Sequence, residues 1–395
     1  MSQVQDLKKE LRSNIREYGM YIALFLIMAF FTCTTGGVFI SSRNIADLMN
    51  QTGYIAVLAV GVTLVIVIRH TDLSVGFLAG FLGAIGAIAM ASWGWPVYVT
   101  IPVLLGLGAL AGLLTGFLVA TVGIPAFVAT IAGWLIYRGA LLLVTRNTGT
   151  IVIENPVFLA IGTGYVPDLL GWIPVLAGVH KLTLLLGLAA IIWSNISLFR
   201  SRQSKLAYHF EVLPMDLFVL KQGFLSVMLA GITWILAGSN GISWTLVVVL
   251  AVVILYDYIT TQTPIGRYVY AVGGNPEAAA VSGISVTRVT YLVFASMGVL
   301  AATSGILFAS RLQSATPTAG TLFEMDAIAA AYIGGVSAAG GVGQVTGALV
   351  GALVYMSLTS GMNLMGVDIS MQYIVRGAVL ALAVIFDVRT RQGGK

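Results

Sequence analysis

Apolar residues in this chain run in long unbroken blocks, separated by short polar or basic stretches. About 20 apolar residues make one membrane-crossing helix. Blocks of that kind predict spans at 18–37, 48–68, 73–92, 97–121, 126–145, 183–199, 223–238, 244–260, 289–310, 327–342, 344–364 and 371–387. The blocks do not alternate apolar with polar residues, which argues for helices and against a transmembrane barrel. The predicted fold is all-α, a polytopic transmembrane helical bundle of about 10–12 membrane helices forming a single domain over 1–395. Segment 327–342 is short and carries Gly334, Gly335, Gly340 and Gly341, so a broken or re-entrant helix competes with a full crossing there.

Composition agrees with the pattern. The chain is 58% hydrophobic and 9% charged, whereas a soluble domain carries about 25% charged residues. No Asp, Glu, Lys or Arg occurs between Asp72 and Arg138. The first apolar block follows Lys8, Lys9, Arg12 and Arg16, but it is long and has no clear small-x-small cleavage site, so it reads as a retained span. The longest outer loop, 146–181, contains Pro156, Pro167 and Pro174, which speak against one regular helix.

Charge sets the orientation. With the N-terminus in the cytoplasm, 14 of the 20 Lys and Arg residues fall inside or at inner ends, as the positive-inside rule requires. That inner set includes Arg69, Arg200, Arg202, Lys205, Lys221, Arg267, Arg288, Arg389, Arg391 and Lys395. Trp93, Trp95 and Trp244 fall at outer boundaries, where an aromatic belt belongs. The basic residues are scattered through loops and form no stripe, which argues against nucleic acid as a partner. Cys33 is the single cysteine, and His70, His180 and His209 are widely separated, so neither a disulfide, a metal site nor a cofactor is expected.

One polar stretch has its own grammar. In 263–285, Asn275 suits the N-cap of a short helix, Pro276 its first position, Glu277 the positive end of its dipole, and Gly283 the left-handed residue after it. The helix is too short to cross a bilayer and faces the cytoplasm, where it offers a surface for a soluble partner.

Other polar residues carry competing readings. Asp72 reads first as the N-cap of the span beginning near Leu73, and second as an ion or proton site. Glu324 and Asp326 stand where helix-start acids are stabilising, with no nucleophile or base spaced for catalysis beside them. Arg376 reads as snorkelling to the outer interface, and Arg138 either does the same or lines a polar path. Glycines at 108, 112 and 116, and at 343, 347 and 351, line helix faces for close packing, with a sliding or dimer-contact face as the second reading. No G-x-x-x-x-G-K-[ST] loop and no H-E-x-x-H motif is present. The chain is therefore expected not to be an enzyme, and any ATP that drives it is bound by another chain.

Several motifs in order resemble a known family: Asp72-Leu-Ser-Val-Gly76, Pro125-Ala-Phe-Val-Ala-Thr130, the stretch from Gly273 to Ile284, Glu324-Met-Asp-Ala-Ile-Ala-Ala330, and Gly334 to Gly343. Together they resemble the permease subunit of bacterial ABC sugar importers of the ribose, xylose and multiple-monosaccharide type. An extra hairpin at 183–238, flanking the basic loop 200–221, resembles the xylose and multiple-monosaccharide branch. Five positions depart from the family pattern: Arg69-His70-Thr71 stand where Gly-Gly-Ile is usual, and Thr115 and Ser360 where Asn is usual.

The resemblance implies a multi-pass protein of the bacterial inner membrane that imports a monosaccharide, xylose or a related pentose or hexose. It implies cytoplasmic ABC ATPase subunits, a periplasmic sugar-binding protein and a second copy of the chain as partners. On this likeness 261–288 is the ATPase-coupling region, with Gly266, Arg267, Gly273, Gly274, Asn275, Pro276, Glu277, Ala278 and Gly283 as its residues. Asp72, Ser74, Thr130, Arg138, Glu324, Asp326 and Asn363 are the translocation-path or structural candidates. The alternatives are a branched-chain amino acid ABC permease and an ion-coupled secondary transporter using Asp72.

Overall fold

The computed structural model describes residues 15–172, 178–208, 210, 212 and 214–392. Lys8, Lys9, Arg12, Pro174, His209 and Lys395, named above, lie outside them. The helices are α1 (Ile15–Thr34), α2 (Ser42–Val67), α3 (Val75–Ala91), α4 (Val97–Ala120), α5 (Ala126–Val144), α6 (Pro156–Thr163), α7 (Lys181–Ala207) and α8 (Met215–Ala237). They continue with α9 (Trp244–Gln262), α10 (Pro264–Gly274), α11 (Pro276–Val281), α12 (Val286–Leu312), α13 (Phe323–Ile333), α14 (Val345–Leu364) and α15 (Ile369–Gln392). Among the described residues, nine helices are long and apolar enough to cross a membrane, and α1 and α3 contribute shorter apolar helices. The all-α polytopic architecture predicted from the apolar blocks is the one observed.

Two compact units divide the chain. One comprises Arg16–Phe39, Leu48–Gly164 and Trp244–Lys395. Its core is laid down by α2, which from Gly53 to Val67 is almost wholly apolar and buried, as expected of a helix at the centre of a bundle. Around it, small residues let helices touch backbone to backbone. Gly108, Gly112 and Gly116 of α4 pack on α12, where a Cβ at Gly108 would stand 2.3 Å from the Gly298 carbonyl oxygen and one at Gly112 2.1 Å from that of Phe294. Gly347 and Gly351 of α14 pack in the same way on Gly334 and Ala330 at the end of α13, and Gly343 lies against Val336 and Val67. Both glycine faces are thus covered within the chain.

Two helices are broken inside this unit. Between α2 and α3, residues 68–74 are non-helical, and Gly76 in the first turn of α3 meets Gly320 just before α13. The segment predicted as a span at 327–342 is helical only over α13, whose 11 residues rise about 16 Å, roughly half the hydrocarbon core. Before it a two-residue strand β2 (Ser314–Ala315) pairs antiparallel with β1 (Ile151–Val152). After it Gly341 N–H donates to Val67 O at the end of α2, 2.8 Å away. The segment between is an irregular stretch, 316–322, followed by a half-helix; Gly335, Gly340 and Gly341, all at positive φ, end it.

Among the described residues, the other unit comprises Ile15, Ile40–Asp47 and Tyr165–Ser243 and is built on the α7–α8 hairpin. Gly187 lets Thr233 approach, and Asn195 Nδ2 donates to Ser226 Oγ at 2.9 Å. His180 caps α7 by accepting from Thr183 N–H, and Asp168 accepts from the amides of Lys181 and Leu182. Arg200, Arg202 and Lys205 stand within the last turns of α7 and Lys221 within α8, so the basic residues read as a loop at 200–221 lie on helices. Cations complement the negative end of a helix, which lets α7 run on past its apolar block.

Candidate functional site

The polar stretch read as one capped helix folds as two helices joined at Asn275. Helix α10 begins after Thr263, with Pro264 at its first position, and α11 follows without a linker. Asn275 N–H closes α10 by donating to Ala271 O, while its Oδ1 opens α11 by accepting from the amides of Glu277 at 3.0 Å and Ala278 at 3.1 Å. Gly283 takes φ +84°, and Ile284 N–H returns to Ala279 O, as a left-handed helix ending requires. Helix α10 itself went unseen in the sequence, where its mixed residues read as a lead-in to the cap.

The glycines of this region answer to backbone approach. A Cβ at Gly266 would stand 2.1 Å from Thr260 O, and one at Gly273 2.0 Å from Val67 O. Arg267, Gly274, Glu277 and Ala278 are exposed, and Ala279 is the buried residue of α11. Arg69, just past the C-terminal end of α2, reaches the last carbonyls of α10: its Nε donates to Gly273 O at 2.7 Å and its Nη2 to Gly274 O. Tyr270 hydroxyl donates to Gly343 O at 2.6 Å, tying α10 to the loop before α14.

Above this junction a polar seam runs into the bundle, and it gathers most of the remaining candidates. Asp72 is buried, and its Oδ1 accepts from Ser74 N–H at 2.9 Å and Ser74 hydroxyl at 2.6 Å. It therefore closes a local turn, and Ser74 holds the N-cap position of α3 that the sequence reading gave to Asp72. Thr130 hydroxyl donates to Thr71 O across the seam. Trp134 Nε1 donates to Glu324 Oε1 at 3.0 Å, and Glu324 Oε2 lies where a Gly76 Cβ would meet it at 2.1 Å. Arg138 donates to Pro317 O at 2.5 Å, with its guanidinium carbon 4.9 Å from the centre of the Phe77 ring. It points into the bundle to hold the irregular stretch before α13.

Asp326 lies in a separate cluster. It accepts from Tyr355 hydroxyl at 2.7 Å and faces Arg376 at 3.9 Å, and Arg376 also donates to Thr359 Oγ1 at 3.2 Å. The expectation that Arg376 snorkels outward is thus corrected: a carboxylate and a hydroxyl inside the bundle offer it partners. Asn363 Oδ1 accepts from Gln372 Nε2 at 2.8 Å where α14 meets α15. Asp368, just before α15, accepts from both the hydroxyl and the amide of Ser370, which hold its carboxyl below the usual range. Trp134, Tyr355 and Gln372 went unnamed in the sequence, where each is one more residue in an apolar block.

A helical bundle with two broken helices, a polar seam and a capped helix pair at one end defines a multi-pass membrane permease. The chain belongs to the permease-component family described for branched-chain amino acid transport systems, whose model matches residues 44–384. It is 39% identical over 379 residues to the xylose transport system permease protein XylH of Haemophilus influenzae, covering 96% of this chain and 98% of that relative. The Escherichia coli XylH is 38% identical over 379 residues, covering 96% and 93%. The ribose import permease protein RbsC of Haemophilus influenzae is 34% identical over 374 residues, covering 94% and 93%. No solved structure matches the chain.

Proposed function

We propose that this chain is the membrane-spanning subunit of an ATP-driven importer that carries a monosaccharide, xylose or a related pentose or hexose, across the bacterial inner membrane. The observation that carries this reading is the end-to-end likeness to permeases named for xylose, followed by those named for ribose. The family description names branched-chain amino acids, but the relatives at 38–39% identity are named for a sugar. ATP is bound and split by separate cytoplasmic subunits, a periplasmic binding protein delivers the sugar, and a second copy of the chain completes the pathway.

In this reading α10 and α11 seat in the ATPase subunit. The docking face is the exposed side of α11, with Glu277, Ala280 and Val281; Val281 is 91% exposed, an apolar side chain with no cover in its own chain. Gly266, Gly273 and Gly283 shape the pair, whereas Glu277 and Ala278 meet the partner. Asp72, Ser74, Thr130, Arg138 and Glu324 hold the broken helices in register, because Asp72 and Ser74 bond each other, Thr130 and Arg138 bond backbone carbonyls, and Glu324 accepts from Trp134. Asn363 and Asp326 stand nearer the sugar's path, beside the partly exposed Arg376.

Reconstitution with the ATPase subunit and binding protein encoded alongside tests this. The complete importer is expected to take up labelled xylose on ATP addition, and E277R and G283P to insert normally yet lose ATPase association and uptake. Wild-type uptake in both variants would remove the coupling role, and a binding protein that captures leucine instead of sugar would remove the substrate class. Uptake by the chain alone under an ion gradient would favour the ion-coupled alternative.

A further inference from the structure

Arg69 stands at φ +66°, one of three non-glycine residues at positive φ among those described. Gln313 and Leu322, the other two, flank the ends of α12 and α13. Arg69 follows the last turn of α2 in the position where a helix commonly ends on glycine, its N–H donating to Ile66 O and that of His70 to Val65 O. An arginine in this conformation carries backbone strain that glycine does not. What the side chain gains in return is a two-pronged bond to Gly273 O and Gly274 O, the carbonyls a helix end leaves unused.

The surroundings leave no slack. Gly341 N–H bonds Val67 O, a Cβ at Gly273 would stand 2.0 Å from that same oxygen, and one at Gly340 2.4 Å from Arg69 Cγ. On the other side of Arg69 the chain continues as 68–74, held by Thr130 at Thr71 and by the Asp72–Ser74 turn, into Gly76 against Glu324. A displacement of α10 is thus passed directly to the segment that carries the seam.

We propose that Arg69 is the positioning residue that transmits movement of the α10–α11 pair to the broken helix at 68–74. The proposal rests on the coupling reading above, and its test separates the two. R69G suits the backbone conformation and removes only the clamp. In proteoliposomes with ATPase and binding protein, R69G is expected to keep its ATPase subunit and hydrolyse ATP within twofold of wild type, while moving at least fivefold less xylose per ATP. R69Q, which keeps one amide donor, is measured beside it in case R69G assembles poorly, and should lose twofold to fivefold. Backbone hydrogen exchange over 68–76 should respond to a non-hydrolysable ATP analogue in wild type and not in either variant, a readout that needs no sugar.

Wild-type xylose per ATP in whichever variant assembles, or an unchanged exchange response, overturns the proposal. E277R distinguishes the levels. If it loses the ATPase while R69G couples normally, only the role of Arg69 fails; if it keeps the ATPase and uptake, the coupling reading fails and takes this proposal with it.

Discussion

Arg376 and Asp326 show how much a single residue's surroundings decide. Their side chains are 20% and 13% exposed and 3.9 Å apart, so this is a partly shielded pair braced by Tyr355 and Thr359. Breaking one partner of a fully buried pair costs about 3–5 kcal/mol, and partial exposure here brings the expectation down to about 1–3 kcal/mol. R376A should therefore lower the thermal midpoint in detergent, and D326N/R376Q, which leaves neither charge alone, should recover at least half of the loss. Midpoints that simply add across the two sites would deny the pairing. Neither inward contact was legible in the sequence. Position near a span's start is compatible with snorkelling, and only the half-helix α13 brings Asp326 to the arginine. The cap residues were legible, since Asn275, Pro276 and Gly283 act on their own neighbours.

At the scale of elements, spacing announced close helix packing but not its partners. Gly298 and Gly108 face each other so closely that a Cβ on Gly298 would stand 1.9 Å from Gly108 O, backbone that cannot turn aside. Gly106, two residues away on α4, has open space at its Cβ. G298A should destabilise the bundle by about 1–3 kcal/mol, as overpacking does, whereas G106A should leave thermal unfolding in detergent unchanged; equal behaviour would disprove the backbone contact. The breaks in α2–α3 and before α13 were less visible. A few polar residues between apolar blocks look the same at a membrane surface as inside a bundle. The glycine-rich end of 327–342 did signal a broken helix, because Gly335, Gly340 and Gly341 are needed where the chain turns through positive φ.

At the scale of the molecule, apolar blocks were enough for a multi-pass helical protein, and the bias of Lys and Arg adds an expected orientation. The irregular segment at 316–333 makes that orientation testable. With Cys33 replaced by serine, single cysteines Q313C and A338C should react with a membrane-impermeant maleimide from opposite sides of sealed vesicles. Labelling from the same side would mean that α13 turns back without crossing. The sequence could not show that α10 ends against α2, since Arg69 and Gly273 are 204 positions apart. That junction depends on the tertiary fold, and so does any coupling through it.

Asn275 caps two helices at once, closing α10 and opening α11 as the single residue between them. The face that α11 presents is therefore counted from that one cap. A residue inserted after Pro276 would turn the rest of α11 by about 100° around its axis, carrying Glu277 and Val281 away from whatever they face while leaving every span, cap type and charge intact. Length at this joint is as strictly specified as the identity of the residues around it.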